Sequence, residues 1–102
     1  MKLLTSMLAA ATLVSAAGVV QARDLGPDEA LRLRDAGTIQ SFEKLNDIAV
    51  KAHPGAKITD TELEEEYGRF VYEVELRDAK NVEWDLAIDA KTGEVLKNHQ
   101  DD

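Results

Sequence analysis

Reactive side chains are scarce in this chain: it has two histidines, no cysteine and a large excess of carboxylates. Without cysteine there is no thiol nucleophile and no thiolate-bound zinc or iron. By composition, Ser41 with His53 and an Asp offers a hydrolytic triad. Ser41 falls in the first turn of a predicted helix that ends at His53, however, and a straight helix separates them by roughly 18 Å, beyond hydrogen-bond reach. His53 is read instead as a helix-end residue, where its ring meets the negative end of the dipole. His99 stands beside Asp101 and Asp102 in a segment read as a tail, which pre-organises no metal site. No HExxH, phosphate loop or GxGxxG occurs. The reading is a non-enzymatic chain with no catalytic residues and no cofactor.

The carboxylates carry the remaining interest. Glu73, Glu75, Glu83 and Asp85 alternate outward on two predicted strands joined by a hairpin. A general acid needs a carboxyl in an apolar pocket, whereas these occupy a solvated face. Phase-matching the hairpin near Ala79 or Lys80 crowds them, and like charges opposite one another destabilise a sheet. One register relieves part of this by setting Arg77 against Glu83. Solvent, nearby Lys, a bound cation or a basic partner must meet the rest. Glu73, Glu75, Glu83 and Asp85 are therefore weak metal-site candidates. Together with Glu64, Glu65 and Glu66, read as an acidic tip at a turn, they are also the candidate protein-binding residues.

The elements that position these residues follow from patterning. Gly26 to Gly37 reads as a short helix: Pro27 suits its first position, Asp28 and Glu29 favour its N-terminus, and Leu31 is its best anchor. Thr38 to Gly55 reads as a stronger helix capped by Thr38. Its apolar stripe is Ile39, Phe42, Leu45, Ile48, Ala49 and Ala52. Lys57 to Glu64 reads as a strand in which Ile58 and Leu63 are out of phase unless a bulge intervenes. Arg69 to Arg77 places Phe70, Tyr72, Val74 and Leu76 on one face, and Val82 to Asp89 does the same with Val82, Trp84, Leu86 and Ile88. Glu94 to Lys97 gives a short last strand, with Val95 or Leu96 inward, before a frayed acidic tail at residues 99–102. A one-sided sheet and a striped helix each need a partner. The expected fold is therefore α+β: one or two N-terminal helices on a three- to four-stranded antiparallel meander, forming a single domain over residues 23–98. The weakly patterned first strand and the short last strand are also candidate edges for strand addition by a peptide.

The first 22 residues stand apart. Lys2, an apolar run from Leu8 to Val20 and small residues ending at Ala22 form a predicted signal peptide cleaved after Ala22. A transmembrane anchor usually needs ~20 apolar residues, and Thr5, Ser6, Thr12 and Ser15 interrupt this one. The whole chain carries a net charge of −8. The leader holds Lys2 and no acid, so the mature chain is more negative by one. That charge disfavours nucleic acid and anionic membranes as partners. With no disulfides, packing alone must hold the domain.

From Thr38 onward the chain resembles the PepSY domain family. The resemblance rests on a helix ending in HPGAKI, on ELEEEYGRFVYEVEL and on VEWDLAIDAKTGEVL. Its most specific parts are the Tyr72-Glu73-Val74 strand and the turn from Asp89 to Val95. The resemblance implies a helix across an antiparallel sheet, a periplasmic or secreted location, and a module that restrains peptidase activity. The implied partner is a protein or peptide, such as a peptidase or envelope protein. A cation-binding or envelope-sensing accessory that uses the acidic face is the alternative.

Overall fold

The computed structural model describes residues 23–101, so the predicted leader, residues 1–22, lies outside it. The element order is β1 (Arg23–Asp24), α1 (Pro27–Asp35), α2 (Phe42–Ala52), β2 (Lys57–Glu66), β3 (Arg69–Arg77), β4 (Glu83–Asp89) and β5 (Val95–Asp101). The strands form one antiparallel sheet in the order β1-β2-β3-β4-β5. The α+β expectation is met with five strands rather than three or four. The extra strand is β1, whose two residues are too few to show alternation.

Helix α1 begins at Pro27 and ends with Gly37 at φ +77, where Gly37 N–H donates to Arg34 O and Thr38 N–H to Leu33 O. These two bonds satisfy the terminal carbonyls in the manner of a Schellman motif. The residue it buries is Ala30, with Leu33 half-buried, while Leu31 is exposed. The expected anchor was therefore wrong. On so short a helix, one step of rotation is enough to exchange the small residue for the large one.

Helix α2 starts at Phe42, capped by Ser41 rather than Thr38; Ser41 Oγ accepts from Lys44 N at 3.2 Å. The delayed start has a tertiary cause. Ile39 is buried, and Gln40 N–H donates to Ala90 O at 2.9 Å, so these residues pair with the loop after β4 instead of winding. Leu45 and Ala49 are fully buried, with Phe42 and Ile48 packed beside them, whereas Ala52 is exposed on the last turn. Their counterparts on the sheet are Leu63, Tyr72, Val74, Leu76, Leu86, Ile88 and Ala90. Tyr72 Oη also donates to Asn46 Oδ1 at 2.8 Å, tying the sheet to the helix.

The predicted bulge in β2 is present. The register with β3 shifts between Ile58 and Asp60, which puts Ile58 opposite Leu76 and Leu63 opposite Tyr72 on the helix side. Tyr67 and Gly68 have φ of 51° and 82° and close the β2–β3 hairpin. That pair of positive values is the two-residue turn whose twist matches the strands. The expected frayed tail is instead part of β5, with His99 paired to Asp85 and Asp101 to Glu83. Its composition is polar because β5 is an exposed edge strand, not because it is unpaired.

The Asp89–Val95 segment owes its sequence to its geometry. Asp89 Oδ1 accepts from Lys91 N and Thr92 N, Gly93 N donates to Asp89 O, and Asp89 N donates to Glu94 O. Gly93 has φ +84, and a Cβ there would lie 3.1 Å from Gln40 Nε2 and 3.2 Å from Ile48 Cδ1. This loop is thus the seam between the sheet and the start of α2.

Candidate functional site

The helices cover one face of the sheet. On the other, β3 presents Arg69, Val71, Glu73, Glu75 and Arg77, because side chains alternate along a strand. Directly paired residues share a face, so Glu62, Glu64 and Glu66 of β2 and Glu83, Asp85 and Ala87 of β4 join them. Lys97, His99 and Asp101 of β5 complete this open face.

The hairpin adopts the relieving register. Arg77 is opposite Glu83 and bridges it at 2.9 Å, while Arg77 Nη1 also donates to Asn81 O. Glu75 is left directly opposite Asp85, the like-charge pairing the pattern foresees. Thr59, the bulge residue, partly offsets this by donating its hydroxyl to Glu75 Oε1 at 3.0 Å.

The structure divides the candidate residues. Glu75, Glu83 and Asp85 bring carboxylate oxygens within 4.8 Å of one another. Glu73 leaves that set and gathers with Glu64 and Glu66 in a second group, and Asp24, Glu62 and Glu64 form a third. Glu65 turns to the opposite face, where Arg23 bridges it at 3.0 Å. The run Glu64–Glu66 is therefore not an acidic tip. It lies within β2 as a regular strand, and alternation splits it between the two faces.

Crowding changes the protonation of these groups. Glu64 is pushed up to about 7, first by partial burial, then by hydrogen bonding to Glu66 and the charge of Glu73. Glu83 is likewise pushed up to about 7, first by a hydrogen bond shared with Asp101, then by burial and by Glu75. The Arg77 bridge opposes that rise, but Arg77 is 42% exposed and solvent screens it. Burial also raises Glu73, against the pull of Lys97. Two Asp carboxyls move the other way. Asp78 is held below its ordinary value by the backbone N–H of Val82, the Trp84 indole and the N–H of Lys80. Burial alone would raise Asp89, yet the N–H groups of Thr92 and Lys91, with Arg69 nearby, hold it low.

His53 lies far from Ser41, and His99 stands on the open face opposite Asp85. Ser41 and His53 cap opposite ends of α2. His53 Nε2 contacts Asn98 Oδ1 at 2.8 Å, and its ring stacks on Trp84 with centroids 4.4 Å apart. It locks the end of the helix to β4 and β5.

Sequence reasoning missed an apolar island on this acidic face. Val71 and Ala87 are only 3% and 7% exposed, although they lie on the side away from the helices. Leu96 is the unpaired residue where the β4–β5 register slips between Ala87 and Ile88. With Tyr67 they line a depression of about 500 Å³, bordered by Glu66, Arg69, Glu73 and Lys97. A signal for it was present: Val71 and Ala87 are apolar residues at outward positions of strands whose other outward positions are charged.

Residues 39–99 match the family model described as "Peptidase propeptide and YPEB domain", PepSY. The Bacillus subtilis (strain 168) protein described as "Uncharacterized protein YkoJ" is 33% identical over 60 residues, which is 59% of this chain and 35% of that protein. The chain thus matches about a third of the length of that relative. No solved structure matches. Among the described residues, no helix is long and apolar enough to cross a membrane.

Proposed function

The chain belongs to the PepSY family, and from that premise we propose that it is a non-enzymatic regulatory module of the periplasm or extracellular space, acting by contact with a protein or peptide. Restraint of a peptidase is the activity this reading favours. The observation that carries it is the extent of the family match, residues 39–99, which takes in α2, β2, β3, β4 and most of β5, and with them every contact residue named below. The contact residues in this reading are Glu64, Glu66, Glu73, Glu75, Glu83 and Asp85. The outer edge of β5 is a further surface for strand addition, since its seven residues pair on one side only.

The test is capture from an envelope extract with the chain from Arg23 onward, followed by assay of each captured peptidase with and without it. Dose-dependent inhibition supports the reading. Capture of no protein whose activity responds would refute it. Charge reversal at Glu73 and Asp85 should abolish capture without loss of the folded signal, whereas unchanged capture would move the contact to the β5 edge.

A second reading, a divalent-cation accessory, is favoured by the three carboxylate gatherings on one face. Carboxylate oxygens suit calcium more than softer ions. A cation seated on Glu75, Glu83 and Asp85 would raise the thermal midpoint by binding the native state. No shift at millimolar calcium, zinc or copper would end this reading.

A further inference from the structure

The open face is more specific than its charge. The depression at Tyr67, Val71, Ala87 and Leu96 is contiguous with a second, of about 180 Å³, lined by Asp60, Glu62, Glu75 and Asp85. Glu73 and Lys97 border both, and with Ala87 they form one row across the strands, so the groove made by the two has an apolar end and an acidic end with this pair crossing between them. At the apolar end Tyr67 is 76% exposed and Leu96 37%, while Val71 and Ala87 form a nearly buried floor between them. Tyr67 holds a turn position at φ +51, which a β-branched or large apolar residue adopts at a cost, and its ring is not used in the core.

We infer that this groove docks an extended basic peptide segment that seats one large apolar side chain against Tyr67, Val71 and Leu96 and directs Lys or Arg to Glu73, Glu75 and Asp85. This rests on the regulatory reading above and names the chemistry of its partner. Charge complementarity selects the basic character, because like charges across an interface are costly and these carboxylates already crowd one another. Burying aromatic or aliphatic area supplies the affinity that screened surface charges lack. The spacing follows from strand geometry. Glu73 and Glu75 lie two and four residues along β3 from Val71, roughly 7 and 13 Å at the strand rise. An extended ligand with the same rise therefore needs its basic residues two and four positions from its apolar anchor.

The probe is a labelled nonapeptide of Ser and Lys with a central Phe and Lys two and four positions to either side, which tests both chain directions. Fluorescence anisotropy is read in about 0.15 M salt, where loose charge attraction is screened beyond ~8 Å. Saturable binding is expected, weakened about tenfold when the Phe becomes Ala. Leu96→Ala and Tyr67→Asn should each weaken it by about tenfold as well. Both positions are exposed, and Asn tolerates the left-handed backbone at Tyr67, so circular dichroism should be unchanged. Absence of binding, equal affinity for the Phe and Ala peptides, or unaltered binding by both variants would each overturn the groove. The two readings separate cleanly. A captured peptidase still held and inhibited by the Leu96→Ala, Tyr67→Asn double variant would leave the regulatory function on another surface and remove the groove. Peptide binding with no regulated protein would do the reverse.

Discussion

Gly93→Ala tests the seam between the sheet and α2. Ala at φ +84 carries a left-handed penalty of ~1–2 kcal/mol. Reduced freedom of the unfolded chain returns ~0.4–1 kcal/mol of that. The new Cβ also meets Gln40 Nε2 at 3.1 Å and Ile48 Cδ1 at 3.2 Å. Each neighbour would have to give by a few tenths of an ångström, at the cost of a contact it makes now. Gln40 Nε2 donates to Lys91 O at 3.2 Å, and Ile48 packs against the core. Overpacking of this kind costs ~1–3 kcal/mol, for a total of about 2–4 kcal/mol. Small domains have only ~5–15 kcal/mol of stability. Gly37→Ala is the control: it has a similar φ of +77 but nothing within 4 Å of the new Cβ. It should cost about 1 kcal/mol, or ~4–8 °C in midpoint for a domain of this size, with Gly93→Ala losing at least twice as much. Urea unfolding at constant slope measures both. A Gly93→Ala loss no greater than that of Gly37→Ala would refute the packing argument and leave only backbone conformation.

Three other outcomes follow from the same geometry. Glu64 and Glu83 have folded-state values near 7 against an ordinary 4.5, so the native state holds their protons more tightly and stability falls as pH rises from 4.5 through about 7. Asp78 and Asp89 are held below 3.8 and destabilise the fold only as pH drops beneath that value. The thermal midpoint at fixed ionic strength should therefore be higher at pH 5 than at pH 8, with Glu64→Gln flattening the profile; a midpoint that climbs over this range contradicts the assignment. Asp78→Asn removes a carboxylate that accepts from Lys80 N, Val82 N and Trp84 Nε1. It should cost ~1–3 kcal/mol, read by Trp84 fluorescence during urea unfolding, and a neutral result would mean that the turn holds without its hub. Tyr72→Phe strips Asn46 of its donor at 2.8 Å and should cost ~0.5–1.5 kcal/mol in the same assay; an unchanged midpoint would show that water replaces the phenol.

Much of the fold was legible because β3 and β4 alternate along most of their length, Val71 and Ala87 being the exceptions. Their buried faces, the Arg77–Glu83 register and the β2 bulge all follow from keeping apolar residues on one side. The errors fell where local pattern was weak or a distant partner decided. Leu31 lost its expected place to Ala30 on a helix of nine residues. Thr38 lost the cap to Ser41 because Gln40 is drawn into a hydrogen bond with Ala90, fifty residues away in sequence. Residues 99–101 read as a tail because a solvated edge strand needs no apolar alternation.

The acidic face shows the same division. Outward alternation by itself determined that Glu73, Glu75, Glu83 and Asp85 share one side of a hairpin, since the period of a strand is two residues. Which of them meet was decided by tertiary register: pairing sends Glu75, Glu83 and Asp85 together and puts Glu73 with Glu64 and Glu66. The apolar island is also a tertiary product. Val71, Ala87 and Leu96 lie on three different strands, and a one-residue slip at the β4–β5 bulge places Leu96 beside the other two. A chain can encode which face each residue takes, but only the assembled sheet sets which faces become neighbours.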